Sequence, residues 1–285
     1  MRPLCFTVHH SHSVKNTVQY PSDHRKNTEK VIISMNYENE KQAFLSYADR
    51  FDRTNGMIEL KVVHTLRVAE VMDRLTAALH LPDETRYLAA LCALFHDIGR
   101  FEQVKRYGTF NDRLSVNHAL LSCEILREGA FLSHLPASHQ QMILTAIENH
   151  NKLAIDPTVT GETLLLSRLI RDADKIDIFR VFACEDMVDT MGETIPQVEQ
   201  EYITDDVYAS FMRHECVPKS LRRTGLDIWI GFLGFFYDMN YPESISIARE
   251  EGYYRRQFDA ATFTHPETRT RISSILEELE TYIGQ

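Results

Sequence analysis

Three features of this 285-residue chain predict an all-α protein. The run Leu88-Ala89-Ala90-Leu91-Cys92-Ala93-Leu94-Phe95 is apolar on every side, the pattern of a helix buried all round. Val62, Val63, Leu66, Ala69 and Met72 recur at helical spacing on one face. No stretch alternates apolar and polar residues strongly enough for a strand, and there is no internal repeat or Gly-rich phosphate loop.

The elements follow in order. Residues 1–34, rich in His, Ser, Asn, Thr and Lys, lack periodicity and are expected to form a poorly ordered tail, or to precede a true start at Met35. His9, His10, His12 and His24 fall in it. A main helical domain is expected over residues 35–195, followed by a C-terminal helical extension over 196–285 packed on the same core. The first clear helix carries His64 near its start. Pro82-Asp83 opens the buried helix, with Asp83 placed as cap, and Gly99 stands where a helix C-terminus often has glycine. Residues 100–114 read as a loop containing Gly108, Asn111 and Asp112. Helices are expected from Ser115 to Arg127, over 137–150, and from Glu162 to about Met191. Further helices are expected near 200–214, 220–238 and 267–283, in a third punctuated by Pro218, Pro242 and Pro266.

Composition bounds the function. With 44% hydrophobic residues the chain can bury a sizeable core. Its 31 Lys+Arg against 41 Asp+Glu give a net charge of −10, which argues against a nucleic-acid polymer as partner. A small phosphorylated substrate held by metal and a few cations stays compatible with that charge. The five cysteines are odd in number and include no C-x-x-C pair, as expected of a reduced, cytoplasmic protein. No segment approaches the roughly 18 apolar residues of a membrane span.

His64, His96 with Asp97, His118, His150 and Asp174 stand where a core would ask for apolar residues. His96-Asp97 ends the buried helix abruptly, and an imidazole beside a carboxylate there must be paired or hold a cation. His118 shares a stripe with Leu114, Leu121 and Ile125, and His150 with Ile143, Ala146 and Ile147. A lone histidine on such a stripe is more often a hydrogen-bonded core residue, so the joint pattern carries the weight. Imidazole and carboxylate are ligands of Zn, Fe, Mn, Co and Ni. Four His and two Asp suffice for two adjacent divalent ions bridged by Asp97, which can clamp a phosphoryl group.

The ordered set His64, His96-Asp97, His118, His150 and Asp174 resembles the HD-domain superfamily of metal-dependent phosphohydrolases. The resemblance spans roughly residues 60–185. It implies that these six residues bind divalent metal, that Asp97 also supports catalysis, and that water attacks a phosphate ester of a nucleotide or other small metabolite. Within Asp172-Ala173-Asp174-Lys175-Ile176-Asp177, the family pattern places the ligand before a Lys or Arg, which selects Asp174. Asp172 and Asp174 point about 200° apart on a helix, so Asp172 is expected to be a supporting or surface carboxylate. Arg100, Lys175 and Arg113 are candidate phosphate-binding cations, with a salt-bridge role as the alternative. The Glu-Asp pair of the guanosine-tetraphosphate hydrolases is missing after His96-Asp97, and so is the Gly-Tyr-Pro motif of the cyclic-dinucleotide branch. Di-iron oxygenases similar to myo-inositol oxygenase share the four-His, two-Asp set and form the enzymatic alternative. A non-catalytic metal-binding regulator is the third.

Overall fold

In the computed structural model, which describes residues 37–185 and 193–284, the chain is helical, with no strand among the described residues. The first seven helices are α1 (Tyr37–Ala48), α2 (Gly56–Ala78), α3 (Asp83–Phe95), α4 (Gly99–Tyr107), α5 (His118–Glu128), α6 (Ala137–Asn149) and α7 (Gly161–Cys184). Helix α7 lies against α2, α3 and α6, while α4 pairs with α5 and α5 leans on α6. Asn55 starts α2 by accepting a hydrogen bond from the Met57 amide at 3.0 Å. Asn117 starts α5 the same way, through the amides of Ala119 and Leu120.

The C-terminal third adds α8 (Ile195–Val198), α9 (Asp205–Met212) and α10 (Gly225–Leu233), which runs into a 3-10 turn over Gly234–Asp238. It continues with α11 (Pro242–Glu251), a 3-10 turn over Tyr253–Arg255, α12 (Arg256–Ala260) and α13 (Pro266–Ile283). Pro242 and Pro266 open their helices, where a missing N–H leaves nothing unsatisfied. Helix α11 packs on α2 and α7. The buried Trp229 of α10 meets the ring of Phe182 in α7 edge-on at 5.1 Å. One hydrophobic core therefore runs from α1 through α13, so the extension packs on the core of the preceding helices as expected. Among the described residues no helix is long and apolar enough to cross a membrane.

Several local expectations need correction. The stretch 100–114 is not all loop: Gly99–Tyr107 is helix α4. Its apolar face is only Phe101 and Val104, too short a stripe to stand out from the charged residues around it. Gly99 therefore begins a helix instead of ending one; the helix end that needs glycine's left-handed backbone is at Gly108, with φ of 63°. Asp83 is the first residue of α3, and the capping position is held by Pro82 without a side-chain cap. Helix α5 begins at His118, three residues later than expected, which leaves Leu114 in the preceding turn at 75% exposure and outside the His118 stripe. The 220–238 segment is helical only from Gly225. The tail over 1–34 with its four histidines, and the stretch of the predicted long helix from 186 to 191, lie outside the described residues.

Candidate metal centre

Five helices deliver the six predicted residues to one buried point. His64 sits two turns into α2, His96-Asp97 directly follow α3, His118 is the first residue of α5, His150 follows α6, and Asp174 lies within α7. The approach of α5 depends on Gly99. A Cβ there would stand 2.6 Å from both the His118 carbonyl oxygen and the Ser122 nitrogen. Ser122 ties the two segments by accepting from the Gly99 amide (2.9 Å) and donating to the His96 carbonyl (2.8 Å).

The side chains divide into two groups that share Asp97. In the first, His64 Nε2 lies 3.1 Å from Asp174 Oδ1 and 3.7 Å from Asp97 Oδ2. His96 Nε2 lies 3.7 Å and 3.6 Å from the same two oxygens. In the second, Asp97 Oδ1 faces His118 Nε2 at 3.4 Å and His150 Nε2 at 3.7 Å. Ligands about 2.0–2.2 Å from an ion are about 3–3.6 Å apart at octahedral or tetrahedral angles. Both His64, His96, Asp174 and His96, Asp97, His150 form triads able to hold an ion.

The outer ring nitrogens settle how the imidazoles face. His64 Nδ1 is 2.8 Å from Asp177 Oδ2, and His118 Nδ1 is 2.7 Å from Asp112 Oδ2. His96 Nδ1 is 2.8 Å from the Ala93 carbonyl, and His150 Nδ1 is 2.6 Å from the Ile147 carbonyl. Carboxylate and carbonyl oxygens only accept, so each Nδ1 carries the hydrogen. In a neutral imidazole Nε2 then presents a lone pair. Yet His64 and His96 face each other through Nε2 at 3.3 Å, and His118 and His150 do so at 3.1 Å. Two facing lone pairs in a buried site repel unless a positive charge stands with them. Asp97 Oδ1 is likewise buried with no hydrogen-bond partner among the described residues. A pair of divalent cations fits both observations.

The electrostatics point the same way. Burial raises the pKa of Asp97, but Lys61, His96, His150 and Arg100 outweigh it and hold the carboxyl well below its usual range. Asp174 is held down against burial by His64 and His96. Burial and Arg100 push His118 down to about 3, against the opposing pull of Asp112 and Asp97, which keeps it neutral. At His64, Asp174 and Asp177 outweigh burial and Lys61 and raise its pKa, so the surroundings favour a positive charge there.

Other residues take places that sequence reasoning missed. Asp177 is fully buried, holds His64, and is itself gripped by Arg180 at 2.7 and 3.1 Å. It lies three residues beyond Asp174, on the same helix face, and that spacing could have revealed it. Lys61, three residues before His64, reaches Asp97 Oδ2 at 2.6 Å. Asp112 lies in the loop after α4, where no periodicity marks it. Arg100 brings Nε to 3.6 Å from Asp97 Oδ1 while its Nη1 binds Gln103, the Phe110 carbonyl and Asp112. Lys175 is turned elsewhere: its ammonium binds Asp238 through the carboxylate (2.6 Å) and the carbonyl (2.9 Å). Arg113 is exposed. Asp172 is fully buried, not at the surface. It accepts from the backbone and side chain of Asn240, the Tyr241 amide and Ser244 Oγ, anchoring the start of α11.

A buried His/Asp cluster carried by facing helices defines a class of metal-binding helical domain. Residues 62–178 match the family model of the HD domain, which places that segment in the HD-domain superfamily. No curated protein matched the chain, and no solved structure did.

Proposed function

We propose that the protein is a metal-dependent phosphohydrolase acting on a phosphate ester of a nucleotide or another small metabolite. The observation that carries this is the pair of cations, Lys61 and Arg100, that flank Asp97 where four imidazoles divide between the two oxygens of its carboxylate. His64, His96, Asp174 and Asp97 Oδ2 would hold one divalent ion, and His118, His150 and Asp97 Oδ1 a second. Such ions lower the pKa of bound water and polarise a phosphoryl oxygen.

The chain's own residues supply the rest. Asp177 and Asp112 fix the tautomer and direction of His64 and His118. Asp174 and Lys61, at 17% and 13% side-chain exposure, mark the side on which the centre opens. Lys61 and Arg100 flank Asp97 and both lie over the Phe110 ring, at 5.2 and 5.4 Å. They meet the charge of an entering phosphate, the task also considered for Lys175 and Arg113. Hydrolysis adds water across the ester: the water oxygen bonds to phosphorus, and the ester oxygen leaves with a proton.

Purified protein loaded with Mn, Co or Ni should release phosphate from at least one member of a nucleotide and sugar-phosphate panel without consuming oxygen. His96→Ala and Asp97→Ala should abolish release while far-UV circular dichroism stays helical. Oxygen uptake by the iron-loaded protein with an alcohol or phosphonate, and no ester turnover, would replace this reading with the di-iron oxygenase one.

A further inference from the structure

We infer that Asp238, in the C-terminal extension, is a positioning residue of the metal centre: through Arg171 it holds the turn that carries His150, and so sets the affinity of the ion at His118 and His150. This inference rests on the two-ion reading above.

One side chain holds the turn after α6. A helix end leaves carbonyls without partners inside the helix. Here Arg171, buried within α7, takes them. Its Nη1 donates to the carbonyls of Asn149 at 3.2 Å, of His150 at 3.4 Å and of Lys152, and its Nη2 to that of Leu153 at 3.1 Å. His150 stands inside this grip, with its Nε2 3.7 Å from Asp97 Oδ1. His64 and His118 are steered by carboxylates on their outer ring nitrogens. His150 Nδ1 has instead the carbonyl of Ile147, in the same helix end. The direction of the His150 imidazole therefore depends on where the Arg171 guanidinium stands.

Asp238 fixes that guanidinium. Its Oδ2 accepts from Arg171 Nη2 at 2.7 Å and from Lys175 Nζ at 2.6 Å, and its carbonyl accepts from Lys175 Nζ at 2.9 Å. Arg171 and Lys175 are both buried and four residues apart on one face of α7, so they repel each other unless a carboxylate stands between them. Among the described residues, Asp238 is the only carboxylate in ion-pair contact with either. Without it, two buried cations stand uncompensated, and the guanidinium is driven off the carbonyls it holds. A neighbouring contact serves as control: Ser244 Oγ, 2.7 Å from Asp172 Oδ2, anchors α11 on α7 through a different carboxylate.

The test is manganese titration followed by the electron paramagnetic resonance signal of the free aqueous ion, which gives the number of bound ions and their dissociation constants. The wild-type protein should bind two. In Asp238→Ala one constant should rise about tenfold while the other stays within about threefold. Asp238→Glu, which keeps the charge, should restore tight binding. Ser244→Ala should lower the melting temperature and leave both constants unchanged. His150→Ala should keep the ion at His64, His96 and Asp174, and adding Asp238→Ala to it should change nothing further, because the effect runs through His150. These readouts are independent of ester hydrolysis. Two ions held as tightly in Asp238→Ala as in the wild type, both weakened alike, or a further loss in the double variant would overturn the role of Asp238 and leave the two-ion reading standing. A wild-type protein that binds a single ion would overturn both.

Discussion

Replacing Gly99 by alanine should loosen one half of the metal centre and spare the other. The added methyl would stand 2.6 Å from the His118 carbonyl oxygen and 2.6 Å from the Ser122 nitrogen, whereas ordinary contact begins at 3.4 Å. Both atoms are backbone, so α5 must withdraw by about 0.8 Å, because close-packed interiors leave no slack. His118 is the first residue of α5, and its Nε2 is 3.4 Å from Asp97 Oδ1. Overpacking of this kind costs about 1–3 kcal/mol. Alanine recovers up to about 1 kcal/mol through helix propensity. With that recovery in full, the net loss is up to about 2 kcal/mol, a fall in melting temperature of up to about 8 °C for a chain of this size. Binding of the second ion, at His118 and His150, should weaken about 10–100-fold, as when the support of a ligand is disturbed. The first ion, held from α2, α3 and α7, should be unaffected. Thermal denaturation and elemental analysis after dialysis against graded manganese read both effects. A variant with unchanged melting temperature and two tightly held ions would refute the claim that Gly99 sets the approach of α5.

Other outcomes follow from the same geometry. Asp177→Asn should weaken the first ion about 10–100-fold and destabilise the fold, since it leaves the buried Arg180 guanidinium without that carboxylate; metal titration and denaturant unfolding measure both. Metal removal by chelation should lower the melting temperature, because ions that bind only the native state contribute about 2.7 kcal/mol each at a free concentration one hundred times the dissociation constant. Burial pushes the Cys123 thiol up to about 11 and raises that of Cys92 as well. At pH 8 the native protein should therefore leave both unalkylated, and peptide mapping should show both modified after unfolding in denaturant.

The convergence of the His and Asp residues was legible in the sequence because each one interrupts an apolar helical surface, an anomaly visible within a few residues. Asp174 could be separated from Asp172 by the Lys that follows it, and the structure gives the two residues different surroundings: Asp174 with the histidines, Asp172 with Asn240 and Ser244. What escaped the sequence depends on pairings between distant segments. Lys61 meets Asp97, thirty-six residues away, across two helices. Lys175 is drawn to Asp238, sixty-three residues away, and so leaves the neighbourhood its sequence position suggested. Helix α4 escaped because two apolar residues are too few to mark a face, and Phe101 finds its ring partners in Phe44 and Tyr47 of α1, a distant segment of the chain. Gly99 was misjudged for a related reason. Glycine is wanted there not for its backbone freedom but for the close passage of another helix.

The central claim is that Asp97 stands between two divalent ions, each backed by its own pair of histidines. Anomalous diffraction from crystals of the manganese-loaded protein tests it most directly. Two anomalous peaks are expected, one beside His64, His96 and Asp174 and the other beside His118 and His150, with one Asp97 oxygen directed at each. A single peak in the first group, with His118 and His150 still facing each other at about 3.1 Å, would contradict it.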